Sequence, residues 1–321
     1  MSSQPSGISF SGAVDRILAN IGEIIKGKPD VIRLVVTCLL AEGHVLIEDV
    51  PGTGKTSLAR ALAATISGSW GRIQFTPDLL PSDVTGVTVF NQGSQQFQFH
   101  PGTVFANIVI ADEINRASPK TQSALLEVME ERQVTVDGVA RAVPRPFVVV
   151  ATQNPVEMDG TYRLPEAQLD RFLMRIAIGY PDSAAEREIL VSDDGGLRLK
   201  SLQPDIRAED VVTMIDHASA VHVHEAVQDY IVAIAAATRV LPEVRLGVSP
   251  RGALALLRST RALAAISGRS YAVPEDVKTV AEHVMAHRMI LQPDAELRGV
   301  TANEIVRRVL DAVPVPQTIS G

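Results

Sequence analysis

The sequence predicts an α/β domain built on a parallel β-sheet, followed by a helical domain. Two observations carry this prediction: short apolar runs alternate with helical segments in the first half of the chain, and helical signals dominate the second half. A third is a glycine-rich turn at residues 51–56, which joins the first apolar run to a helix. With 321 residues, the chain is long enough for two domains with separate cores.

The first half begins with two helices and continues with strands. Apolar residues from Val14 to Ile25 recur at helical spacing, and residues 31–40 predict a second, more buried helix. Five short apolar runs are typical of strands buried on both faces of a parallel sheet. These runs are residues 44–48, 72–76, 107–111, 147–152 and 173–178.

Two stretches predict β-hairpins instead. Residues 87–99 alternate around a polar turn at 91–94, which places a hairpin inside the helix expected after the second strand. A second hairpin is predicted at 134–143, with Asp137 and Gly138 as its turn.

After Tyr180 and Pro181 the sequence shows no further parallel-strand pattern, and the second domain is predicted to be all-α. Residues 192–196 are typical of a linker, Ser249 and Pro250 begin a helix, and Thr301 with Glu304 forms a capping-box pattern. The predicted organisation is a flexible N-terminus at 1–10, a nucleotide-binding core at 11–190, a linker at 191–206 and a helical domain at 207–321.

Composition excludes several classes of protein. The net charge of −7 and the pI near 5.5 argue against a broad nucleic-acid surface. Cys38 is the single cysteine and lies in an apolar run, so a buried, inert thiol is expected. The polar first residues and the lack of an apolar run of about 18 residues predict a cytoplasmic protein that does not insert into membranes.

The glycine-rich turn predicts a phosphate-binding loop. Gly52 and Gly54 allow successive N–H groups to point at a polyphosphate, and the following helix adds its positive end. Lys55 supplies a charge to the outer phosphates, and Thr56 supplies a hydroxyl to Mg²⁺. The strict pattern has glycine where this chain has Asp49. The predicted nucleotide-binding loop consists of Pro51, Gly52, Thr53, Gly54, Lys55, Thr56 and Ser57.

Polar residues follow two of the predicted strands, where ligands bind in open α/β sheets. Asp112 and Glu113 end the third strand: Asp112 is the candidate Mg²⁺ residue, and Glu113 is the candidate base for the attacking water. Taken alone, two acids at a strand end are more often a solvated edge. Asn154 follows the fourth strand and can sense a γ-phosphate, although a turn-forming asparagine before Pro155 is an equally simple interpretation. A guanine-reading Asn-Lys-x-Asp motif is missing at this position, which favours ATP over GTP.

Several long blocks resemble the MoxR-type AAA+ ATPases over roughly residues 14–315. The blocks are LPSDVTG at 80–86, residues 101–116 ending in ADEINR, QSALLEVMEER at 122–132, ATQNP at 151–155 and LPEAQLDRF at 164–172. The resemblance implies an AAA+ P-loop core of αβα layers with sheet order 5-1-4-3-2, two inserted hairpins and a helical lid.

The resemblance also assigns roles that spacing does not show. Arg171 matches an arginine finger that reaches the γ-phosphate of a neighbouring subunit, with Arg175 and Arg116 as second choices. Arg251 matches the second sensor, and Ile25 and Gly27 match the strip that contacts adenine.

The function implied is a Mg²⁺-dependent ATPase that forms a ring, expected to be a hexamer, and remodels or activates partner proteins together with a von Willebrand factor A domain protein. The resemblance does not identify the client protein. Two alternatives stay open: a nucleic-acid motor of the MCM type, and the ATPase subunit of a magnesium chelatase. The run from His222 to Glu225 lacks further zinc ligands and is expected to be a solvated helix start.

Overall fold

The computed structural model describes residues 9–155, 162, 164–191, 199 and 201–316. Most of the predicted flexible N-terminus and the predicted linker turn at 192–196 lie outside these residues. The chain divides into two compact units. The first comprises the described parts of Met1–Val36, Glu42–Leu164 and Ile176–Thr213, and the second those of Thr37–Ala41, Pro165–Arg175 and Met214–Gly321.

A five-stranded sheet forms the centre of the fold. Its strands are β1 (Val45–Glu48), β3 (Trp70–Gln74), β6 (Ile108–Asp112), β9 (Val148–Gln153) and β10 (Met174–Ile176). Their order is β10-β1-β9-β6-β3, which is 5-1-4-3-2 when these five are numbered along the chain, as expected. The pairings of β1 with β9, β9 with β6 and β6 with β3 are parallel. Strand β6 is buried along its whole length, as a parallel sheet covered on both faces requires.

Strand bounds differ from the predicted ones by one or two residues at most ends. The largest differences are two residues: β10 ends at Ile176 rather than at residue 178, and β3 begins two residues earlier and ends at Gln74 rather than at residue 76. The chain leaves the sheet here because Pro77 has no N–H to continue the ladder, and Phe75 makes the last bond, to the carbonyl of Asp112.

Seven helices accompany the strands of this part of the chain, in the residues that the structure describes. Ser9 caps the first and Ser118 the fifth, each accepting a backbone N–H with its hydroxyl, as expected for N-cap serines. The helices are α1 (Phe10–Ile24), α2 (Pro29–Leu40), α3 (Lys55–Thr65), α4 (Pro81–Thr85), α5 (Pro119–Glu131), α6 (Glu166–Leu169) and α7 (Ser183–Val191).

Both predicted hairpins are present. Strands β4 (Gly86–Asn91) and β5 (Gln96–Pro101) pair antiparallel after the short helix α4, and β7 (Gln133–Val136) pairs with β8 (Val139–Ala142) after α5. Asp137 and Gly138 both have positive φ, which the turn of the second hairpin requires.

One prediction is wrong: a further parallel pairing occurs after residue 181. Strand β11 (Ile206–Arg207) pairs in parallel with β2 (Ile66–Ser67). Each strand has only two residues, too few for an apolar period to show in the sequence.

The remaining elements form the predicted helical domain, with one correction. The helices are α8 (Ala208–Ser219), α9 (Glu225–Val240), α10 (Pro250–Ile266), α11 (Pro274–Met285), α12 (Pro293–Leu297) and α13 (Ala302–Ala312). Strands β12 (Val244–Leu246) and β13 (Ile290–Leu291) pair antiparallel, so this domain is not purely α. These strands are also too short to predict from sequence, because pairing between distant segments defines them.

Helix caps in this domain match the sequence patterns. Ser249 caps α10, and Thr301 with Glu304 forms the reciprocal capping box of α13. Among the described residues, no helix combines the length and apolar character needed to cross a membrane.

Candidate functional site

The glycine-rich turn between β1 and α3 has the conformation of a phosphate-binding loop. Gly52 and Gly54 have φ of 84° and 86°, a region that L side chains rarely adopt, and Gly54 is the N-cap of α3. Lys55 Nζ donates to the carbonyls of Asp49 at 2.5 Å and Val50 at 2.7 Å, so its ammonium group folds over the loop. The N-terminus of α3 and Lys55 therefore present positive charge at the same place.

This loop forms one wall of a cavity of about 420 Å³. The predicted residues at the strand ends, Asp112, Glu113 and Asn154, form another part of the wall. The loop residues in the lining are Pro51, Gly52, Gly54, Lys55, Thr56 and Ser57. Thr53 is the exception among the predicted set, because it is buried and its hydroxyl donates to the carbonyl of Val50 at 3.1 Å.

Asp112 is the most enclosed acid of the cavity. Its side chain is 4% exposed. One carboxylate oxygen, Oδ1, accepts from the hydroxyls of Thr56 at 3.0 Å and Thr152 at 3.3 Å. The other, Oδ2, accepts from Arg72 Nε at 2.7 Å. Arg72 and Thr152 line the same cavity and were not identified from the sequence.

Glu113 follows Asp112 in a left-handed conformation, with φ of 56°. A positive φ is uncommon for a residue other than glycine and often marks functional sites. The Oε2 atom accepts from Gln74 Nε2 and Arg116 Nη1, both at 3.0 Å. The backbone N–H donates to the hydroxyl of Thr152 at 3.0 Å. The carboxylate is thus held at the cavity wall by Gln74 of β3 and by Arg116, while Thr152 of β9 holds the backbone of Glu113.

Sequence reasoning missed Gln74 as well as Arg72 and Thr152, although a signal for them exists. Gln74 pairs with Asp112 in the register of β3 and β6, so both strands end at the same edge of the sheet. Arg72 lies two residues earlier in β3 and therefore on the same face as Gln74. The polar residues Arg72 and Gln74, which alternate with Ile73 at the end of the second predicted strand, could have indicated that this strand also contributes to the site.

The donor set fits a hard divalent cation. Thr56 Oγ1 and Asp112 Oδ1 lie 3.0 Å apart, and both are oxygen ligands of the kind that Mg²⁺ prefers. Among the described residues there is no cluster of three or more His, Cys, Asp or Glu able to hold a metal. Thr56 and Asp112 would supply two oxygen ligands, and water and phosphate oxygens would complete the shell of such a cation.

Asn154 is buried at the cavity wall, at the end of β9. Its backbone carbonyl accepts from Asn115 Nδ2 at 3.4 Å, which ties the residue to the turn after β6. The backbone of Asn154 is therefore held between the end of β9 and the turn that follows β6.

Ile25 and Gly27 line a separate cavity, also about 420 Å³, between α1, α2 and α7. Gly27 has φ of 70°, and a Cβ there would lie 2.5 Å from that of Ala185. The Cδ1 atom of Ile25 is 3.8 Å from the position of a Cβ on Gly54, so this side chain reaches the phosphate loop. Lys26 forms an ion pair with Glu188 at 3.0 Å across the same cavity.

Arg171 and Arg251 belong to the second unit and are not among the residues that line the phosphate-loop cavity. Arg171 Nη1 donates to the carbonyl of Ala167 at 3.4 Å. Arg251 lies 3.6 Å from a carboxylate oxygen of Asp170. Arg175 is in the same unit, whereas Arg116 pairs with Glu113 of its own chain.

Asp170 has a second and stronger partner, Arg288, which the sequence did not indicate. Arg288 Nε donates to Asp170 Oδ1 at 2.7 Å, and its other nitrogens donate to the carbonyls of Phe172 at 2.8 Å and Leu173 at 3.1 Å. Burial lowers the pKa of Arg288 to about 10, and Asp170 opposes that shift. The segment that carries Arg171 is thereby fixed to the helices of its unit.

Two residues that the sequence analysis did not assign to the site, Cys38 and His224, have structural roles. Cys38 is fully buried, and desolvation raises the pKa of its thiol to about 12, so it is inert as expected. His224 is the N-cap of α9, where its Nδ1 accepts from the N–H of Ala226 at 3.1 Å.

Comparison with known proteins places this geometry in a family. Residues 44–174 match the ATPase family associated with various cellular activities (AAA), and residues 236–309 match the AAA lid domain. Chaperone MoxR1 of Mycobacterium tuberculosis is 40% identical over 314 residues, covering 95% of this chain and 82% of its own length. Protein MoxR of Methylorubrum extorquens is 32% identical and covers 95% of both chains.

Two further proteins are similar over almost the whole length. The uncharacterized protein YeaC of Bacillus subtilis is 48% identical over 301 residues, 94% of each chain. A crystal structure from Cytophaga hutchinsonii superposes with a TM-score of 0.88 at 37% identity, covering 96% of each chain. The fold, the two matched domains and the relatives agree, and the chain belongs to the MoxR family of AAA+ ATPases.

Proposed function

We propose that this chain binds ATP together with Mg²⁺ and hydrolyses it to ADP and phosphate. The observation that carries the proposal is that the phosphate loop, Asp112, Glu113 and Asn154 line one cavity. Family membership supports the same activity.

Each of these residues has a role in this proposal. Backbone N–H groups of the loop and the N-terminus of α3 bind the phosphates, and Lys55 exchanges the carbonyls of Asp49 and Val50 for phosphate oxygens. Thr56 and Asp112 hold Mg²⁺. When bound, Mg²⁺ neutralises negative charge that develops on the phosphate oxygens.

Glu113 orients the attacking water and takes its proton. Its hydrogen bonds from Gln74 and Arg116 keep one carboxylate oxygen occupied, so the other is available to the water. Asn154 contacts the γ-phosphate or the water, and Ile25 and Gly27 contact the adenine.

Two substitutions test the hydrolytic site. Lys55→Ala weakens binding of a fluorescent ATP analogue, because the charge that binds the outer phosphates is lost. Glu113→Gln leaves binding intact but slows turnover by about 100-fold or more, the usual contribution of a general base. Glu127→Gln, a change of the same kind on an exposed position of α5, serves as control. Wild-type turnover in Glu113→Gln would show that another group activates the water.

The cellular work is proposed to be chaperone-like remodelling of partner proteins by a cytoplasmic ring of this chain, expected to be a hexamer. The relative named Chaperone MoxR1 supports this work, since it is 40% identical over nearly the whole chain. Within such a ring Arg171 serves the site of the neighbouring subunit, and Arg251 links the lid to the bound nucleotide.

A von Willebrand factor A domain protein is the proposed partner that selects the client. Glu113→Gln protein trapped with ATP is the suitable bait, because the trapped state lengthens the life of an ATP-dependent complex. Co-purification of such a partner with ATP, and less of it with ADP, is the expected result.

The same pull-down distinguishes the competing functions. Recovery of nucleic acid would favour a motor of the MCM type, and recovery of a porphyrin-metallating complex would favour a magnesium-chelatase-like function. The β4–β5 hairpin argues against the motor, since residues 86–101 contain no lysine or arginine to contact phosphates.

A further inference from the structure

Arg72 forms an ion pair with the acid proposed to hold Mg²⁺. Its Nε donates to Asp112 Oδ2 at 2.7 Å, and its Nη2 donates to Gln74 Oε1 at 2.9 Å. It lies on β3, the last strand in the order of the sheet, and lines the phosphate-loop cavity. The guanidinium of Arg72 is therefore ion-paired with the acid that is proposed to hold Mg²⁺.

The environment of Asp112 explains why a cation is needed there. The carboxylate is almost fully buried, and its other two donors, Thr56 and Thr152, are uncharged hydroxyls. A buried carboxylate that has only neutral partners is strongly unfavourable. Of these three side chains that donate to Asp112, only Arg72 supplies a compensating charge.

The other end of this ion pair is not enclosed. The Arg72 side chain is 48% exposed, so the guanidinium can move into water at small cost. A divalent ion bound beside Asp112 repels the guanidinium, because two cations then share one carboxylate. Arg72 and a metal held by Asp112 would therefore compete for the same carboxylate.

We propose that Arg72 is the resident counter-ion of Asp112 and that metal binding displaces it, so that Arg72 sets the metal affinity of the site. This inference rests on the proposed function, because it takes Asp112 as the metal-holding acid. Arg72 is a positioning residue in this role, since it acts through Asp112.

The test is a titration of the full chain with Mn²⁺, a paramagnetic substitute for Mg²⁺, at saturating ADP. Free Mn²⁺ is measured by electron paramagnetic resonance, and binding to ADP alone is subtracted. Arg72→Gln should lower the dissociation constant of Mn²⁺ about tenfold, because a competing unit charge a few ångströms away is removed. Arg72→Lys, which keeps the charge, should stay within about twofold of wild type.

Two further variants make the result specific. Arg60→Gln, on an exposed position of α3, removes the same charge away from Asp112 and should leave the dissociation constant unchanged. In the metal-free protein with EDTA, Arg72→Gln should lower the melting temperature, because the buried carboxylate of Asp112 loses its charged partner. The double variant Arg72→Gln/Asp112→Asn should regain the wild-type melting temperature, because it no longer contains that carboxylate.

An unchanged or weaker Mn²⁺ affinity in Arg72→Gln would overturn the inference while leaving the ATPase proposal intact, provided that wild type binds ADP. Loss of stability that Asp112→Asn does not restore would also contradict it. A wild-type chain that binds neither ADP nor Mn²⁺ would overturn both proposals.

Discussion

Asp112 and Asp170 each hold an arginine, but the two ion pairs differ in which partner is buried. At Asp112 the acid is enclosed and Arg72 is half exposed, whereas at Asp170 the arginine, Arg288, is the enclosed partner. An exposed cation can leave its acid, while a buried one cannot leave without losing its compensation. The Arg72–Asp112 pair is thus suited to a site that exchanges ligands, and the Arg288–Asp170 pair is suited to holding the protein segment around Asp170 in place.

Arg288 and Arg251 provide a matched test, because both contact Asp170. The Arg288 side chain is 4% exposed and Arg251 is 52% exposed. Arg288→Met should lower the free energy of unfolding by roughly 3 kcal/mol, since buried carbonyls and an acid lose their donor. Arg251→Met should change it by less than about 1 kcal/mol. Urea unfolding measures both, and equal losses would show that burial does not decide the contribution.

His287 predicts a pH dependence of stability. Burial, together with the nearby charge of Arg288, lowers its pKa well below 6.5, and burial also lowers the pKa of His283. Below pH 6.5 the unfolded chain then binds protons that the folded chain does not, so stability falls as pH falls. Above this pH neither state is protonated at these residues, and the effect disappears.

The expected result is a loss of stability as pH falls from 6.5 toward 5, at roughly 1 kcal/mol or less per pH unit from His287 and a smaller loss from His283. His287→Gln should flatten the wild-type curve between pH 6.5 and 5 in thermal melts. The pKa of Glu282 is lowered by its hydrogen bond from Arg307, so Glu282 loses its contribution to stability only at lower pH. It therefore does not affect the curve between pH 6.5 and 5. A variant curve as steep as wild type would assign the dependence to other groups.

Among the elements, the β4–β5 hairpin depends on close backbone contact at its base. A Cβ on Gly102 would lie 2.3 Å from the carbonyl oxygen of Val84 and 2.4 Å from the nitrogen of Gly86. Gly86 itself has φ of 95°. The base of the hairpin therefore accepts only glycine at these positions, whereas the turn at its far end is open.

Gly102→Ala should destabilise the first unit by about 1–3 kcal/mol, because backbone atoms must shift to make room. Gly93→Ala is the control within the same hairpin: its new Cβ would meet only the side-chain oxygen of Asn91, at 3.3 Å. Hydrogen exchange of the hairpin amides measures the effect locally. Equal protection in both variants would mean that the hairpin base is not a close contact in solution.

At the scale of the whole molecule, the segment with Arg171 groups with the helical domain rather than with the phosphate loop. Residues 165–175 belong to the second unit, and Arg288 with its bonds to Asp170, Phe172 and Leu173 is part of the reason. Under the proposed function, Arg171 would therefore move together with the lid helices.

Mixing variants tests whether the active site is shared. Arg171→Ala protein and Lys55→Ala protein should each be nearly inactive as ATPases. Mixed rings should recover part of the activity, because some interfaces combine an intact Arg171 with an intact Lys55. Co-purification of two differently tagged variants shows that subunits have exchanged. No recovery in proven mixed rings, or full activity of a monomer, would contradict a shared site.

Much of the candidate site could be predicted because its residues belong to short sequence motifs that can be recognised without the structure. The phosphate loop, Asp112 with Glu113, and Asn154 each follow an apolar run, and parallel strands bring their carboxyl ends to one edge. The hairpins were also visible, since alternation and turn residues are local features. Strand order came from resemblance to a family, not from the pattern of apolar residues.

The sequence by itself determined the fold class, the phosphate loop and the strand-end acids, because short-range periodicity and turn chemistry encode them. Only the tertiary structure decided that Arg72 forms an ion pair with Asp112 and that Gln74 donates a hydrogen bond to Glu113. It also decided that Arg288 binds Asp170, which holds the segment that contains Arg171. These contacts join residues from 39 to 118 positions apart. They depend on strand register and on the packing of distant segments, which no local pattern in one sequence specifies.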